Sequence, residues 1–267
     1  MHPSISADPV PLSRRQRHRQ ATLAEIKTLA RRQLAEQGPG ALSLRAIARQ
    51  MGTASSALYR YFASQDELLS ALCVDAYDAL ADTLTNARDA QPPDDHARQW
   101  WAICHAFRRW ALEHPADFTL LFGTPQPGYQ APEQVTGPAA GRATQVPLRV
   151  YAAAVHAGAA DPNRTQLPPT LELEVGELLV SLLGEAVGDT VGDTAADYPT
   201  RLTGIALNAY ASVLGYLVAE IFGSLPRLIA DTDRLYQAHV RTVMLGMGFD
   251  PALLDAIDAI DAEDHKE

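Results

Sequence analysis

The side chains best suited to contact nucleic acid are concentrated in one segment, SLRAIARQMGTASSALYRYF, which spans residues 43–62. Hydroxyl and guanidinium groups hydrogen bond to base edges and phosphate oxygens, and a methyl group can pack against the methyl of thymine. The segment carries all three kinds of group, and the candidate contact residues are Ser43, Arg45, Thr53, Ser55, Ser56, Ala57, Tyr59 and Arg60. The chemistry that these residue types favour is recognition of double-stranded DNA.

The spacing of residues in this segment predicts two short helices joined by a tight turn. Apolar residues recur at i, i+3, i+4 and i+7 from Leu44 to Met51, which is typical of one buried helical face, and Ser43 is a suitable N-cap. Gly52 follows where the chain must turn, because glycine adopts the left-handed backbone conformation without strain. In the second helix Leu58 faces the first. A corner of this kind can place its second helix in the major groove of DNA.

The distribution of charge favours the N-terminal quarter as the part that meets a polyanion. The whole chain of 267 residues has a formal net charge of −10. Residues 1–65 hold ten Arg and Lys against three Asp and Glu, whereas the remainder holds 12 basic and 29 acidic residues. The acidic remainder would repel DNA, and this asymmetry would orient the encounter.

Three features of this region have two interpretations each. Arg14, Arg15 and Arg17 form either a basic arm along the DNA backbone or minor groove, or a solvated disordered tail. Tyr59 either reaches a phosphate through its hydroxyl or covers the apolar seam of the corner. Arg45 either reads guanine or holds a phosphate, or is a solvated charge. Ser43 caps its helix and can also bind phosphate there.

The rest of the sequence predicts an all-α fold. We expect a disordered tail over residues 1–13, a three-helix DNA-binding domain over 14–65, a larger helical domain over 66–250 and a C-terminal tail over 251–267. Outside the corner, the predicted helices cover residues 14–37, 64–90, 94–113, 115–122, 138–160, 169–187, 199–224 and 231–247, with a long loop over 123–137. No strand alternation and no internal repeat is present in the sequence.

These pieces together resemble the tetracycline-repressor (TetR) family of transcriptional regulators. The resemblance rests on the first helix, then LSLRAIARQMG, ALYRYF and SQDELL, and residues 14–80 fit it throughout. It implies an all-helical homodimer in which the N-terminal domain binds DNA. The C-terminal domain would provide ligand binding and dimerisation. It also implies ligand-controlled DNA binding, usually repression.

The sequence departs from the family pattern at four positions. The family usually has Ser or Thr where Ala54 stands as N-cap of the reading helix, and Thr53 is the residue that could replace that cap. A Lys is common where Gln65 stands. The segment WALEHPADFTLLFGTPQPGY is similar to a subgroup with a Trp and a His-Gly (WHG) in its penultimate long helix, where this chain has Tyr210 and Leu214.

A binding site for the implied ligand is predicted in the C-terminal domain. Trp101, His105 and Arg108 share one helical face at i, i+4 and i+7, which combines aromatic surface with polar groups. The full set of ligand-binding candidates is Trp101, His105, Arg108, Phe122, Tyr151 and Asn208. An aromatic stripe at helical spacing is also typical of ordinary core, so both interpretations are open.

Dimerisation is expected through the last two long helices, which would form a four-helix bundle with those of a second subunit. A bound ligand would tilt the long helix that begins at Ser64 and change the separation of the two reading heads. Half-sites lie roughly 34–36 Å apart, so a small change in separation would end operator binding.

An enzyme is the competing class of protein. The sequence lacks a GxSxG elbow, a phosphate-binding loop, a dinucleotide fingerprint and any Cys/His cluster with metal-ligand spacing. We therefore expect no catalysis, cofactor or metal. No run of eighteen apolar residues occurs and Cys73 and Cys104 are typical buried thiols, so we expect a cytoplasmic protein without a membrane partner. The alternative function is a helical DNA-binding activator or architectural protein without a small-molecule ligand.

Overall fold

The computed structural model describes residues 13–38, 40, 42–123, 128–165, 200–225 and 231–264. Within these residues the regular elements are helical and no strand occurs, which confirms the all-α prediction. The α-helices are α1 (Arg14–Gln37), α2 (Leu44–Gln50), α3 (Ser55–Leu58), α4 (Gln65–Asp89), α5 (His96–Glu113), α6 (Pro115–Phe122), α7 (Glu133–His156), α8 (Thr200–Ile221), α9 (Thr232–Gly246) and α10 (Pro251–Asp264). The predicted tail before residue 13 and the predicted helix over 169–187 lie outside the described residues.

The described residues divide into two compact units. The first comprises the chain up to Leu72 together with residues 128–130, and the second comprises residues 73–123 and the chain from Ala131 onward. The division falls within α4, seven residues after the predicted domain boundary at residue 65.

In the first unit, α1, α2, α3 and the start of α4 enclose a small apolar core. Ile26, Ile47, Leu58 and Leu68 are almost fully buried in it. Such burial contributes about 2 kcal/mol for each side chain of this size, which is how a corner of two very short helices is stabilised.

The start of α4 is set by its sequence. The Ser64 hydroxyl accepts a hydrogen bond from the Glu67 N–H at 3.1 Å, and the Glu67 carboxylate accepts one from the Ala63 N–H. These bonds satisfy N–H groups that have no partner within a helix, as the sequence Ser-Gln-Asp-Glu predicts.

In the second unit, α5 packs against α7 and α8, and α8 packs against α9. The core is rich in aromatic residues, and two buried tyrosines hydrogen bond to main-chain carbonyls. The Tyr236 hydroxyl donates to Cys104 O at 2.8 Å and the Tyr151 hydroxyl donates to Met247 O at 2.9 Å. These bonds fix the ends of α9 to α5 and α7.

One predicted helix in this unit has the wrong limits. Helix α7 begins at Glu133 and ends at His156, not over 138–160, so the predicted loop over 123–137 is helical from residue 133. Pro138 and Pro147 lie inside this helix, although each removes a backbone donor. Its inner face compensates, because most of its small and β-branched side chains are buried. The C-terminal tail over 251–267 is helical in its described part, since α10 occupies residues 251–264 and buries Leu254 and Ile257.

One stretch of α8, Gly204–Ile221, is long and apolar enough to cross a membrane by length and composition. In the second unit, 33% of this stretch is buried. Core helices of water-soluble proteins meet the same criteria, so the stretch is weak support for a membrane span.

Candidate functional site

Helices α2 and α3 meet at a corner that is closed by backbone geometry. Gly52 has φ +64°, the left-handed conformation expected at this turn, and the Thr53 N–H donates to Ala48 O at 3.0 Å. Ala48 is completely buried where the two helices approach each other. A larger side chain at this position would separate the helices, so the small residue is required by the packing.

Ser43 holds the start of α2 in the way that the sequence predicts. Its hydroxyl accepts a hydrogen bond from the Ala46 N–H at 3.3 Å, and its own N–H donates to the buried side chain of Gln33 at 3.0 Å. Arg45, two residues later, is exposed in the first turn of this helix, where backbone N–H groups have no acceptor within the helix. Cationic and N–H donor groups therefore lie together at this helix start, which favours an anion such as phosphate.

Helix α3 is a single turn whose polar side chains face outward. Leu58 is buried, whereas Ser56, Tyr59 and Arg60 are exposed and Ser55 and Ala57 are half-buried. Tyr59 has 46% of its surface exposed, so its ring lies partly against the corner and partly in solvent. The outward face thus combines hydroxyl, methyl and guanidinium groups, the set that reads base edges and phosphates.

The N-cap of α3 is unfilled. Ala54 is the cap residue, and no side chain accepts a hydrogen bond from the first turn of the helix. Thr53 is exposed and does not replace the missing cap. The absent bond costs about 1 kcal/mol of helix stability, and it leaves N–H groups at the start of α3 available to a phosphate oxygen.

The N-terminal arginines lie in a helix, so a disordered tail does not describe residues 14–17. Ser13 and Gln16 form a capping box, in which the Gln16 N–H donates to Ser13 Oγ and the Ser13 N–H donates to Gln16 Oε1. The first turn of α1 carries Arg14, Arg15 and Arg17, all exposed. Arg19, one turn further on, lies over the Tyr61 ring at 5.2 Å. The basic groups are therefore presented from a defined helix.

The second unit contains an apolar cavity of about 180 Å³. Five helices of this unit, α4 to α8, supply its wall, with Met247 after the end of α9. The lining residues are Tyr77, Leu80, Leu84, Trp100, Ile103, Cys104, Phe107, Phe122, Ala143, Thr144, Pro147, Leu148, Tyr151, Ala206, Leu207, Ala209, Tyr210, Val213 and Met247. The cavity is partly open to the surface, because the lining residues Leu207 and Tyr210 are exposed.

The predicted ligand-binding residues are divided by the structure. Phe122 and Tyr151 line the cavity, whereas Trp101, His105 and Arg108 lie on another face of α5. On that face the rings of Trp101 and His105 are 4.7 Å apart. These three residues therefore do not meet the cavity.

Asn208 lies in a separate shallow cleft between α8 and α9. Its neighbours there include Ser212 and His239, and the Asn208 side chain is exposed. Of the six predicted ligand-binding residues, only the two named above are thus brought together at the cavity.

Arg108 is held by an ion-pair network instead. Its Nε and Nη2 donate to the two carboxylate oxygens of Glu220 at 2.8 and 2.7 Å, and its Nη1 donates to Asp233 at 2.7 Å. The guanidinium also lies over the Tyr236 ring at 5.1 Å. The Glu220 carboxylate raises the pKa of Arg108, so the side chain stays charged and joins α5 to α8 and α9.

His105 is a half-buried histidine whose lowered pKa favours the neutral form at pH 7. Burial, with the charges of Arg108 and Arg109, lowers its pKa to about 4, and the nearby Asp233 acts weakly in the opposite direction. Its Nε2 atom has no hydrogen-bond partner within the part of the chain that the structure describes. Its ring is packed against Tyr236, with centroids 5.3 Å apart. This residue contributes to the core, not to the cavity wall.

The sequence did not identify several cavity residues, above all Tyr77, Cys104 and Tyr210. Burial raises the pKa of the Cys104 thiol, so it is protonated and unreactive as a thiolate at neutral pH. One sequence signal for the cavity wall was available. Trp100, Ile103 and Phe107 recur at i, i+3 and i+7 and form a second apolar face of α5. In the described residues, no group of three His, Cys, Asp or Glu side chains could hold a metal ion.

A helix-turn-helix corner in one unit and an enclosed helical domain in the other define a DNA-binding transcriptional regulator. The comparison with family models agrees with this class. The model of bacterial regulatory proteins of the tetR family matches residues 26–72, and that of the tetracyclin repressor-like C-terminal domain matches residues 100–243. The chain belongs to the TetR family.

Individual relatives support this assignment. The HTH-type transcriptional regulators Rv1816 of Mycobacterium tuberculosis (strain H37Rv) and Mb1846 of Mycobacterium bovis are each 49% identical to this chain over 135 residues. That match covers 51% of this chain and 56% of each relative, so it spans just over half the length of those proteins.

Solved structures share the fold. The crystal structure of the regulatory protein SCO4313 has a TM-score of 0.65 and 32% identity, and the match covers 87% of this chain and 99% of that one. A protein of unknown function from Rhodococcus sp. RHA1 has a TM-score of 0.60 and 24% identity, with 85% and 95% coverage, and shows the likeness of fold alone.

Proposed function

We propose that this regulator is a ligand-responsive repressor that binds a palindromic operator as a homodimer and is released by a small molecule. The observation that carries the proposal is the apolar cavity of about 180 Å³ in a chain whose other unit presents an outward-facing polar turn, α3. A regulator without a ligand has no need of such a space, which costs packing energy. The cavity therefore favours the ligand-responsive repressor over an activator or architectural protein without a ligand.

The proposed DNA contacts are divided between bases and phosphates. Ser55, Ser56 and Ala57 lie at the start of α3 and would meet base edges in the major groove. Tyr59 and Arg60 would contact the phosphates beside them. At the start of α2, Ser43 and Arg45 would hold a neighbouring phosphate, and Thr53 would contact the backbone from the turn.

Exposed apolar side chains on α8 and α9 support a homodimer. Large apolar residues are usually buried, and those exposed here are Leu207 at 41%, Tyr210 at 38%, Phe222 at 44% and Leu245 at 40%. Small residues between them on α8, Ala211 and Gly215, would allow a second helix to approach closely. A second copy of the chain, covering this face, would complete a four-helix bundle.

The remaining parts of the proposal concern location and chemistry. A DNA-binding regulator of this class acts in the cytoplasm, and a dimer interface is sufficient to explain the apolar face of α8 without a membrane. The proposed action needs no catalytic step, cofactor or metal. Release would follow from a change in the separation of the two α3 helices, because half-sites roughly 34–36 Å apart fit only one separation.

A gel-shift assay of the purified chain on its own upstream intergenic DNA, with random DNA as competitor, tests the DNA part of this proposal. We expect a discrete complex that resists competition, and a footprint that is palindromic. Arg60→Ala should weaken this complex at least tenfold. Arg234→Ala is the matched control, because Arg234 is an exposed arginine on α9 in the other unit, and it should leave the complex unchanged.

Two further results would contradict the proposal. Weak, salt-sensitive binding with the same affinity for every DNA sequence tested would contradict the proposal of a specific operator. If the chain sediments as a monomer at micromolar concentration, the proposed homodimer is contradicted. If the dimer is correct, Leu245→Glu should dissociate it, because the charge would be buried in the apolar interface, and Leu245 does not line the cavity.

A further inference from the structure

The wall of the cavity in the second unit carries no charge. None of the described residues that line it is Asp, Glu, Lys, Arg or His. The charged Arg108–Glu220 pair lies outside it, although Arg108 is on α5, which supplies much of the wall. An ion transferred into such a space loses its hydration and gains no partner, which costs many times the energy of an ordinary contact. The cavity therefore discriminates against carboxylates and ammonium groups.

Of the four hydroxyl groups in the wall, two are available to a ligand. The Thr144 hydroxyl is occupied by Ala140 O at 2.9 Å, and that of Tyr151 by Met247 O at 2.9 Å. The Tyr77 and Tyr210 hydroxyls have no hydrogen-bond partner among the described residues. Burial raises the pKa of Tyr77, and burial together with the nearby Tyr77 phenol raises the pKa of Tyr210 to about 12. Both phenols are therefore protonated donors that lie near each other.

The volume limits the size of the occupant. An apolar cavity of about 150 Å³ holds benzene. At about 180 Å³, this cavity has room for one ring with a short substituent. The aromatic side chains Trp100, Phe107 and Phe122 in the wall suit such a ring, because edge and face contacts between rings are favourable.

We propose that the cavity binds an uncharged, ring-sized apolar molecule that carries one hydrogen-bond acceptor, and that Tyr77 and Tyr210 donate to this acceptor. This inference rests on the proposed function for its regulatory meaning, since the ligand would be the effector. The binding chemistry itself depends only on the wall of the cavity.

Isothermal titration calorimetry of the full chain with four matched probes tests the ligand class. The probes are acetophenone (neutral, with an acceptor), ethylbenzene (neutral, without one), benzoate (anionic) and benzylammonium (cationic). We expect acetophenone to bind about fivefold more tightly than ethylbenzene, which is the effect of one ordinary hydrogen bond. Benzoate and benzylammonium should bind at least a hundredfold more weakly than acetophenone.

Variants assign the binding to these residues. The double variant Y77F/Y210F should weaken acetophenone about fivefold and leave ethylbenzene unchanged, and Tyr61→Phe in the first unit is the matched control. Ala206→Phe should fill the cavity and abolish binding of both neutral probes, with its fold checked by circular dichroism. Benzoate or benzylammonium binding as tightly as acetophenone would overturn the proposal. So would the absence of binding by all four probes, or an unchanged acetophenone affinity in Y77F/Y210F.

The same probes separate this inference from the proposed function. Acetophenone that binds as expected but leaves operator affinity unchanged would support the ligand class and argue against an effector role for it. If the chain binds DNA selectively but binds none of the four probes, the proposed DNA-binding function is supported and the proposed class of ligand is contradicted.

Discussion

The hydroxyl oxygens of Ser70 and Tyr129 lie 3.0 Å apart, although 59 positions separate the two residues in sequence. Ser70 is buried in α4, and its hydroxyl donates to Asp66 O at 2.8 Å. The Tyr129 hydroxyl is therefore the donor in the bond between them. Tyr129 belongs to the compact unit that carries the helix-turn-helix corner, whereas Phe122, seven residues earlier, lines the cavity of the other unit.

This hydrogen bond predicts that Tyr129 couples the cavity to DNA binding. Tyr129→Phe should leave the operator affinity of the ligand-free protein within about twofold. It should reduce the effect of bound acetophenone on that affinity by about 0.5–1 kcal/mol, a typical loss of coupling for one contact. Fluorescence anisotropy with labelled operator, with and without saturating acetophenone, measures both quantities. Tyr61→Phe, which retains the Ser70 contact, should behave as the parent, and equal coupling in all three proteins would refute the role.

Tyr59 provides a test of the DNA-reading face. Tyr59→Ala should weaken operator binding at least tenfold, which is about 1.4 kcal/mol, with the dimer intact. Tyr59→Phe separates the two explanations of that loss, because it keeps the ring and removes the hydroxyl. A phosphate contact predicts that Phe does not restore affinity, and a covering role predicts that it does. Operator titrations of the three proteins, with melting temperatures as the check on folding, decide between these results.

The corner was predictable from sequence because its signals are local. Ser43, Ala48 and Gly52 each have one physical reason for their position: a cap, a close approach and a positive φ. The same holds for α1, whose predicted limits are those of the structure. The start of α7 was not predictable in this way, since Pro138 and Gly137 are typical of loops and yet both lie inside the helix.

The cavity was less predictable than the corner. Helix α5 has ten buried residues, so apolar side chains occur on most of its circumference and its periodicity does not separate core from cavity wall. Trp101 and Trp100 are adjacent in sequence and both are buried, yet only Trp100 lines the cavity. The arrangement of α4, α7 and α8 decides which face of α5 lines the cavity, and the sequence of α5 alone does not contain that information.

The arginines in the first turn of α1 should contribute to DNA affinity through charge. Replacing Arg14, Arg15 and Arg17 by Gln should weaken binding to operator and random DNA alike. It should also reduce the slope of log affinity against log salt by about 2.7, because each phosphate contact contributes roughly 0.9. Anisotropy titrations from 50 to 200 mM salt measure the slope. Arg234→Gln is the control on the other unit, and a triple variant with the parent slope would place these charges away from DNA.

The two acidic partners of Arg108 should differ greatly in their effect on stability. Glu220 is 10% exposed in its side chain and Asp233 is 79% exposed, although both hydrogen bonds are short. Glu220→Gln leaves a buried guanidinium partly unpaired and should cost about 2–4 kcal/mol of unfolding free energy. Asp233→Asn should cost less than about 1 kcal/mol, because its charge is solvated. Urea unfolding of the two variants, read by tryptophan fluorescence, should show this order, and equal losses would contradict it.

The lowered pKa of His105 predicts how the free energy of unfolding depends on pH. Its folded pKa of about 4 lies below its ordinary value of 6.5, so the unfolded chain binds a proton that the folded chain does not between these two values. Its contribution is therefore fully present above pH 6.5 and is lost as the pH falls toward 4, by up to about 3 kcal/mol. His105→Phe keeps a ring between Trp101 and Tyr236 and removes the proton, so the fall in unfolding free energy between pH 7 and 4.5 should be smaller by that amount. Urea unfolding at both pH values measures the fall, and His239, whose pKa is also lowered by burial, would account for part of what remains. An identical fall in the parent and in His105→Phe would mean that His105 does not titrate in this window.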